Sequence, residues 1–239
     1  NTVSNYKGVM KKHLNDWKAK QMSSINRDMV TKLHAKISEE SESAANKSMR
    51  LLRALFNYAN GAYETTEGRS LFPDNPVHRL THTRAWNKES RRDNIIKRTQ
   101  LQPWFKAVNG LSNSKDEFER TVVDYLQFVV LTGLRRREAT SLKICDVDFD
   151  EKAFTVYVTK NNQPLSLPMS SYTEGLLKVR CKETTTDYVF HGAGDSGQLN
   201  DPRGLIKRLR EKVDFDFTIH DLRRTFITLA ESLDICLLY

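Results

Sequence analysis

The chain has 239 residues, with 38 Lys and Arg against 30 Asp and Glu, a formal net charge of +8 and a pI near 9.3. That length can bury two modest cores, and the positive balance favours a polyanionic partner, nucleic acid first. No run of about 18 apolar residues is present to span a membrane, the first residues lack the apolar core of a signal peptide, and Cys145, Cys181 and Cys236 form no CxxC pair of a zinc knuckle or disulfide framework. A cytoplasmic protein of two domains is expected, with no cofactor, no metal and its cysteines used for packing.

Residues 5 to 60 carry three apolar stripes at helical spacing: Tyr6, Val9, Met10, Leu14 and Trp17, then Met29, Val30, Leu33 and Ile37, then Ala45, Met49, Leu52, Phe56 and Ala59. They predict a small helical bundle. Lys47, Arg50 and Arg53 lie beside the apolar face of the third helix, either as the side that enters a DNA groove or as an ordinary solvated face. Gly61, Gly68 and Pro73-Asp74-Asn75-Pro76 break the helical pattern, and the polar stretch that follows reads as a linker. The expected division is a helical domain over 1–80, a linker over 81–95 and a second domain over 96–239.

In the second domain Leu101, Trp104, Phe105 and Val108 precede an amphipathic helix with Phe118, Val122, Tyr125, Leu126 and Val129, which stops at Thr132-Gly133. Arg135, Arg136 and Arg137 then open the next helix. Cations at a helix start oppose its dipole unless an anion sits there, and a phosphate would serve; an isolated basic turn would simply be solvated. Glu138 is placed to hold one of the arginines by an ion pair. Further on, Phe154, Val156 and Val158 alternate with Thr155, Tyr157 and Thr159 up to Lys160, followed by Asn161-Asn162 and then Leu165 and Leu167. This predicts an antiparallel hairpin with Lys160 projecting from its tip. The segment from His191 to Gly197 is rich in glycine but lacks the Lys-Ser/Thr of a P-loop and reads as a plain loop. Thr218 and Asp221 make a capping-box start for a helix with Leu222, Phe226, Leu229 and Leu233 on its core side and His220, Arg223 and Arg224 opposite. The fold class is mainly α with a small antiparallel β-sheet (α+β).

Taken together, Thr132-Gly133-Leu134-Arg135-Arg136-Arg137-Glu138, Thr159-Lys160-Asn161-Asn162 and His220-Asp221-Leu222-Arg223-Arg224-Thr225 resemble, in order and spacing, the tyrosine recombinase (phage integrase) family. Asn46 to Ala59 with Asn75-Pro76-Val77 resembles its helical core-binding domain, and Leu101 to Val108 the start of its catalytic domain. The resemblance implies a site-specific recombinase that cleaves and rejoins DNA through a 3′-phosphotyrosine intermediate, for integration or excision of a mobile element in a bacterial host. By the same resemblance Arg135 and Arg223 would grip the non-bridging oxygens of the scissile phosphate. His220 would assist proton transfer at the tyrosine, and Lys160 would protonate the leaving 5′ oxygen. Arg136, Arg137 and Arg224 would join Lys47, Arg50 and Arg53 as DNA contacts. The implied partners are a double-stranded core attachment site, three further copies in a synaptic homotetramer and a DNA-bending accessory protein. The family tyrosine follows the second arginine by about two to three dozen residues, farther than Tyr239. The nucleophile is therefore expected outside this chain, as is an arm-binding domain ahead of Asn1, and the chain alone is expected to bind core DNA without cleaving it. A type IB topoisomerase-like enzyme and a non-catalytic DNA-binding protein on the same fold are the alternative readings.

Overall fold

A computed structural model describes residues 2–90, 93–159, 161, 163–192, 194–200 and 202–233, and the chain divides into two units, Asn1–Arg91 and Arg92–Tyr239. In the first unit the three apolar stripes form α1 (Thr2–His13), α2 (Arg27–Glu40) and α3 (Glu42–Ala62). Helix starts leave N–H groups without partners, and here Asn26 accepts from the Met29 N–H at 3.0 Å and Ser41 from that of Ala44 at 3.3 Å. Ala45, Met49, Leu52 and Phe56 pack against Val30 and Ile37, and against Val77 and Leu80 at the short α4 (His78–His82). Val9 and Leu14 meet Leu51, while Tyr6 of the first stripe is exposed.

The chain does not leave this unit at Thr81. Ala85 and Trp86 pack on the core, and the buried Asn46 side chain donates to the Asn87 carbonyl at 2.9 Å and to Glu89 Oε1 at 2.6 Å, while accepting from the Asn87 N–H at 3.2 Å. What looks polar enough for a linker is polar because it satisfies a buried amide.

The second unit contains α5 (Arg98–Asn109), α6 (Glu117–Thr132), α7 (Arg136–Thr140), strands β1 (Val147–Asp148), β2 (Ala153–Val156) and β3 (Leu165–Pro168), then α8 (Ser171–Glu183), α9 (Arg203–Val213) and α10 (Ile219–Ser232). The sheet is antiparallel in the order β1-β2-β3. α6 is buried on nearly every side, with Val122, Val123, Tyr125, Leu126, Phe128, Val129 and Val130 all covered. It is a central core helix rather than a surface amphipathic one. α8 is fastened to it by the buried Arg180, whose Nε lies 2.7 Å from Asp124 Oδ2 and whose Nη1 donates to Thr121 Oγ1 at 2.9 Å. α10 packs along the same helix, and Gly133 makes the close approach possible. This glycine ends α6 in the left-handed conformation, φ +66°, and a Cβ on it would overlap the Phe226 ring of α10.

Several expectations need correction. β2 stops at Val156, which pairs with Leu165, so the strand does not run on through Thr159, and Tyr157 and Val158 are exposed. Thr159 instead donates to the Gln163 carbonyl at 2.7 Å and accepts its N–H at 3.1 Å, local bonds that compete with strand pairing. Lys160 and Asn162 lie outside the described residues. Leu233 is 70% exposed, so the apolar side of α10 ends at Ala230. Cys145 is exposed rather than packed, Cys181 is partly buried against the core, and Cys236 lies outside the described residues. No helix among the described residues is long and apolar enough to cross a membrane.

The junction of α6 and α10 is directly testable. Replacing Gly133 with Ala combines a disfavoured φ with a steric overlap and should lower stability by about 2 kcal/mol or more. Urea denaturation would report this, and an unchanged midpoint would contradict the tight packing of Phe226 on Gly133.

Candidate functional site

Gly133 reverses the chain at the end of α6, Leu134 is buried, and Arg135 takes the position before α7 in an extended conformation. Glu138, in the first turn of α7, reaches back: its Oε2 accepts the Arg135 backbone N–H at 2.7 Å and its Oε1 accepts from Arg135 Nη1 at 2.7 Å. Part of the negative charge that three arginines at a helix start call for is thus internal, a carboxylate only 3% exposed. The Arg135 guanidinium is half exposed above it.

α10 supplies the opposite wall. Thr218 accepts the Asp221 N–H at 3.2 Å, and Asp221 Oδ2 accepts the Thr218 N–H at 2.9 Å, so the capping box anticipated from the sequence is formed. Arg223 does not lie on an open face of this helix. It is 8% exposed, its Nη1 donates to the Gly133 carbonyl, and the same atom is 4.0 Å from Glu138 Oε2. Two arginines from separate helices therefore share one buried carboxylate, and Arg223 also faces the partial negative charge of a helix C-terminal carbonyl. One carboxylate between two guanidinium groups leaves positive charge over. His220, exposed at the start of α10, has its pKa held below the usual 6.5, first by partial burial and then by the nearby Arg224, Arg223 and Arg135, against the opposing pull of Asp221. The ring is thus neutral at neutral pH and able to accept a proton.

Arg135, His220 and Arg223 line one groove of about 650 Å³, together with Arg136 and with Arg203, Lys207 and Arg210 of α9. The α9 residues were not anticipated, although their spacing places them along one side of a helix. Arg210 is partly committed to the fold, through the Phe217 carbonyl at 2.8 Å and Asp216 at 2.9 Å. A cavity of similar size on the first unit, about 660 Å³ beside Phe56 and Phe72, carries Arg27 and Arg79 balanced by Asp28 and Asp74 and gathers no comparable excess of cations.

The remaining expected contacts are more dispersed. Arg136 donates to the Asn200 carbonyl, Arg137 is exposed, and Arg224 pairs with Asp221 at 3.3 Å. On the first unit Lys47 is exposed, Arg50 lies 3.3 Å from Glu89, and the Arg53 guanidinium sits 5.8 Å over the Trp86 ring. Lys160, expected beside Arg135 and Arg223, lies outside the described residues. The groove can hold an anion with at least two acceptor oxygens and present it to a neutral imidazole.

Prophage integrase IntF of Escherichia coli K12 is 30% identical over 194 residues, covering 78% of this chain and 39% of that protein. Tyrosine recombinase XerA of Saccharolobus solfataricus is 29% identical over 126 residues, 52% of this chain and 40% of its relative. The chain thus spans about two-fifths of the length of these relatives. Among solved structures, the Tn1549 transposon integrase in complex with a circular intermediate DNA superposes with a TM-score of 0.77 at 16% identity, over 99% of this chain and 82% of that one. A lambda integrase dimer bound to a COC′ core site gives 0.72 at 16% identity, over 97% and 83%. At that identity these two likenesses speak for the fold. The model of the phage integrase family matches residues 94–232, more than half of the sequence and the whole span from α5 to α10, and the chain belongs to that family.

Proposed function

We propose that this chain provides the phosphate-activating machinery of a site-specific DNA recombinase acting through a 3′-phosphotyrosine intermediate. The observation that carries the reading is the sharing of buried Glu138 by Arg135 and Arg223 in a cationic groove. Attack of a tyrosine oxygen on the scissile phosphorus adds negative charge to the non-bridging oxygens, and two guanidinium groups fixed in advance stabilise that charge without reorganising. The phosphorus–O5′ bond breaks as the tyrosyl–phosphorus bond forms, so the bond energy is kept for rejoining the strand to a new 5′ hydroxyl. His220, neutral at rest, takes the tyrosine proton, and Lys160 gives a proton to the departing 5′ oxygen, which would otherwise leave as a poor alkoxide.

The substrate in this reading is a duplex core attachment site, bound by four copies at synapsis and bent by an accessory protein. Solved relatives on DNA support it: one is a lambda integrase tetramer bound to a Holliday junction. Lys47, Arg50, Arg53, Arg136, Arg137 and Arg224 would contribute phosphate contacts, Arg50 by exchanging Glu89 for a phosphate.

Four outcomes are expected of the full-length gene product. Affinity for core-site DNA should fall about a hundredfold or more between ~50 and ~200 mM salt, measured by fluorescence anisotropy; a salt-independent Kd would contradict phosphate-dominated binding. In cleavage of a nicked suicide substrate, Arg135→Ala should cost on the order of a hundredfold or more. A sulfur leaving group at the 5′ position should rescue Lys160→Ala but not Arg135→Ala, and rescue of both or neither would remove Lys160 from the acid role. The lowered His220 pKa predicts that the acid limb of kcat/KM, which reports the free enzyme, is centred below pH 6.5. An acid limb centred above 6.5 would contradict a neutral, cation-flanked imidazole.

A further inference from the structure

Thr225 is 1% exposed, on α10 two residues beyond Arg223. Its hydroxyl donates to the Asp221 carbonyl at 2.8 Å, an ordinary bond for a helical threonine. The unusual partner is the second one: the same oxygen accepts the backbone N–H of Ile96 at 2.8 Å, across 129 residues of sequence. Ile96 is itself buried, directly before the Lys97 cap of α5, whereas residues 93–95 ahead of it are exposed. The segment by which the chain enters the second unit is therefore tied by one hydroxyl to the turn that presents His220 and Arg223. The far side of that turn is organised by Asp221, which receives the Thr218 N–H and pairs with Arg224. A buried amide that loses its acceptor has no water to replace it, so the bond constrains both partners.

We propose that Thr225 is a positioning residue: it locks the entering segment to α10 and thereby keeps Arg223 aligned with Arg135, so that displacement of residues 93–96 is felt at the phosphate site. The proposal rests on the recombinase reading and adds to it a defined mechanical link. It is tested in the full-length gene product by the rate of covalent trapping on a nicked core site, the Kd for the same DNA and hydrogen exchange at the Ile96 amide.

Thr225→Val, which keeps the shape and deletes the acceptor, should slow trapping about tenfold at unchanged Kd and speed Ile96 exchange, while Thr225→Ser should recover to within about threefold of wild type. In an Arg223→Lys background Thr225→Val should add little, because the group it aligns is already altered. If the valine variant fails to fold, Thr225→Ala, which introduces no clash, carries the same comparison. Trapping at the wild-type rate in Thr225→Val, or an undiminished tenfold loss on top of Arg223→Lys, would overturn the positioning role alone. A wild-type protein that forms no covalent complex at all would remove the recombinase reading and this role with it.

Discussion

A carboxylate removed from water must be matched by positive charge and hydrogen bonds, and Glu138 is nearly inaccessible while receiving a backbone N–H and a guanidinium from Arg135 and standing 4.0 Å from Arg223. Breaking such an arrangement by removing one member strands a buried charge, at a cost of about 3–5 kcal/mol. The convergence of Arg135 and Arg223 therefore contributes to the stability of the fold as well as to the groove. It also leaves a surplus of positive charge on the groove side, where the half-exposed Arg135 fork, held by Glu138, meets an incoming anion already in place.

Much of what holds this pair comes from the ends of helices. Gly133 ends α6, brings Phe226 of α10 against the backbone and offers its carbonyl to Arg223. Arg135 and Glu138 begin α7, and the Thr218–Asp221 box begins α10. Helix ends carry unpaired backbone groups, so they are where fixed partial charges and side chains can be aimed at one point. The long, buried α6 provides the rigid reference against which both arginine-bearing elements are packed.

This division of labour also explains what could be read in advance. The helix stop at Gly133, the Glu138–Arg135 pair and the Thr218–Asp221 box rest on short-range rules of a few residues, and the structure contains all three. Longer-range burial is not written in periodicity. Arg223 looked like a residue of an open face because its partners, Gly133 and Glu138, are supplied by a distant part of the chain. The stretch after Thr81 looked like a linker because Asn46, which holds it, is polar in the middle of an apolar stripe. Alternation through Thr159 suggests a longer strand, but the pairing ends at Val156 and Leu165, and the Thr159 hydroxyl bonds Gln163. Leu233 was assigned inward by helical phase alone, and phase does not say where the packing partner ends. The basic side of α9, Arg203, Lys207 and Arg210, has no neighbouring motif to mark it, and only the fold brings it to the groove.

The central claim is that Arg135 and Arg223 act on the charge of a single phosphate. A core site carrying a neutral methylphosphonate at the scissile position tests it most directly, because the negative charge that the guanidinium groups neutralise is then removed from the substrate. Arg135→Ala and Arg223→Ala, both impaired on the natural phosphodiester, should each approach the wild-type cleavage rate on the methylphosphonate. If both remain as impaired on the neutral substrate as on the charged one, the two arginines do not share that phosphate and the account fails.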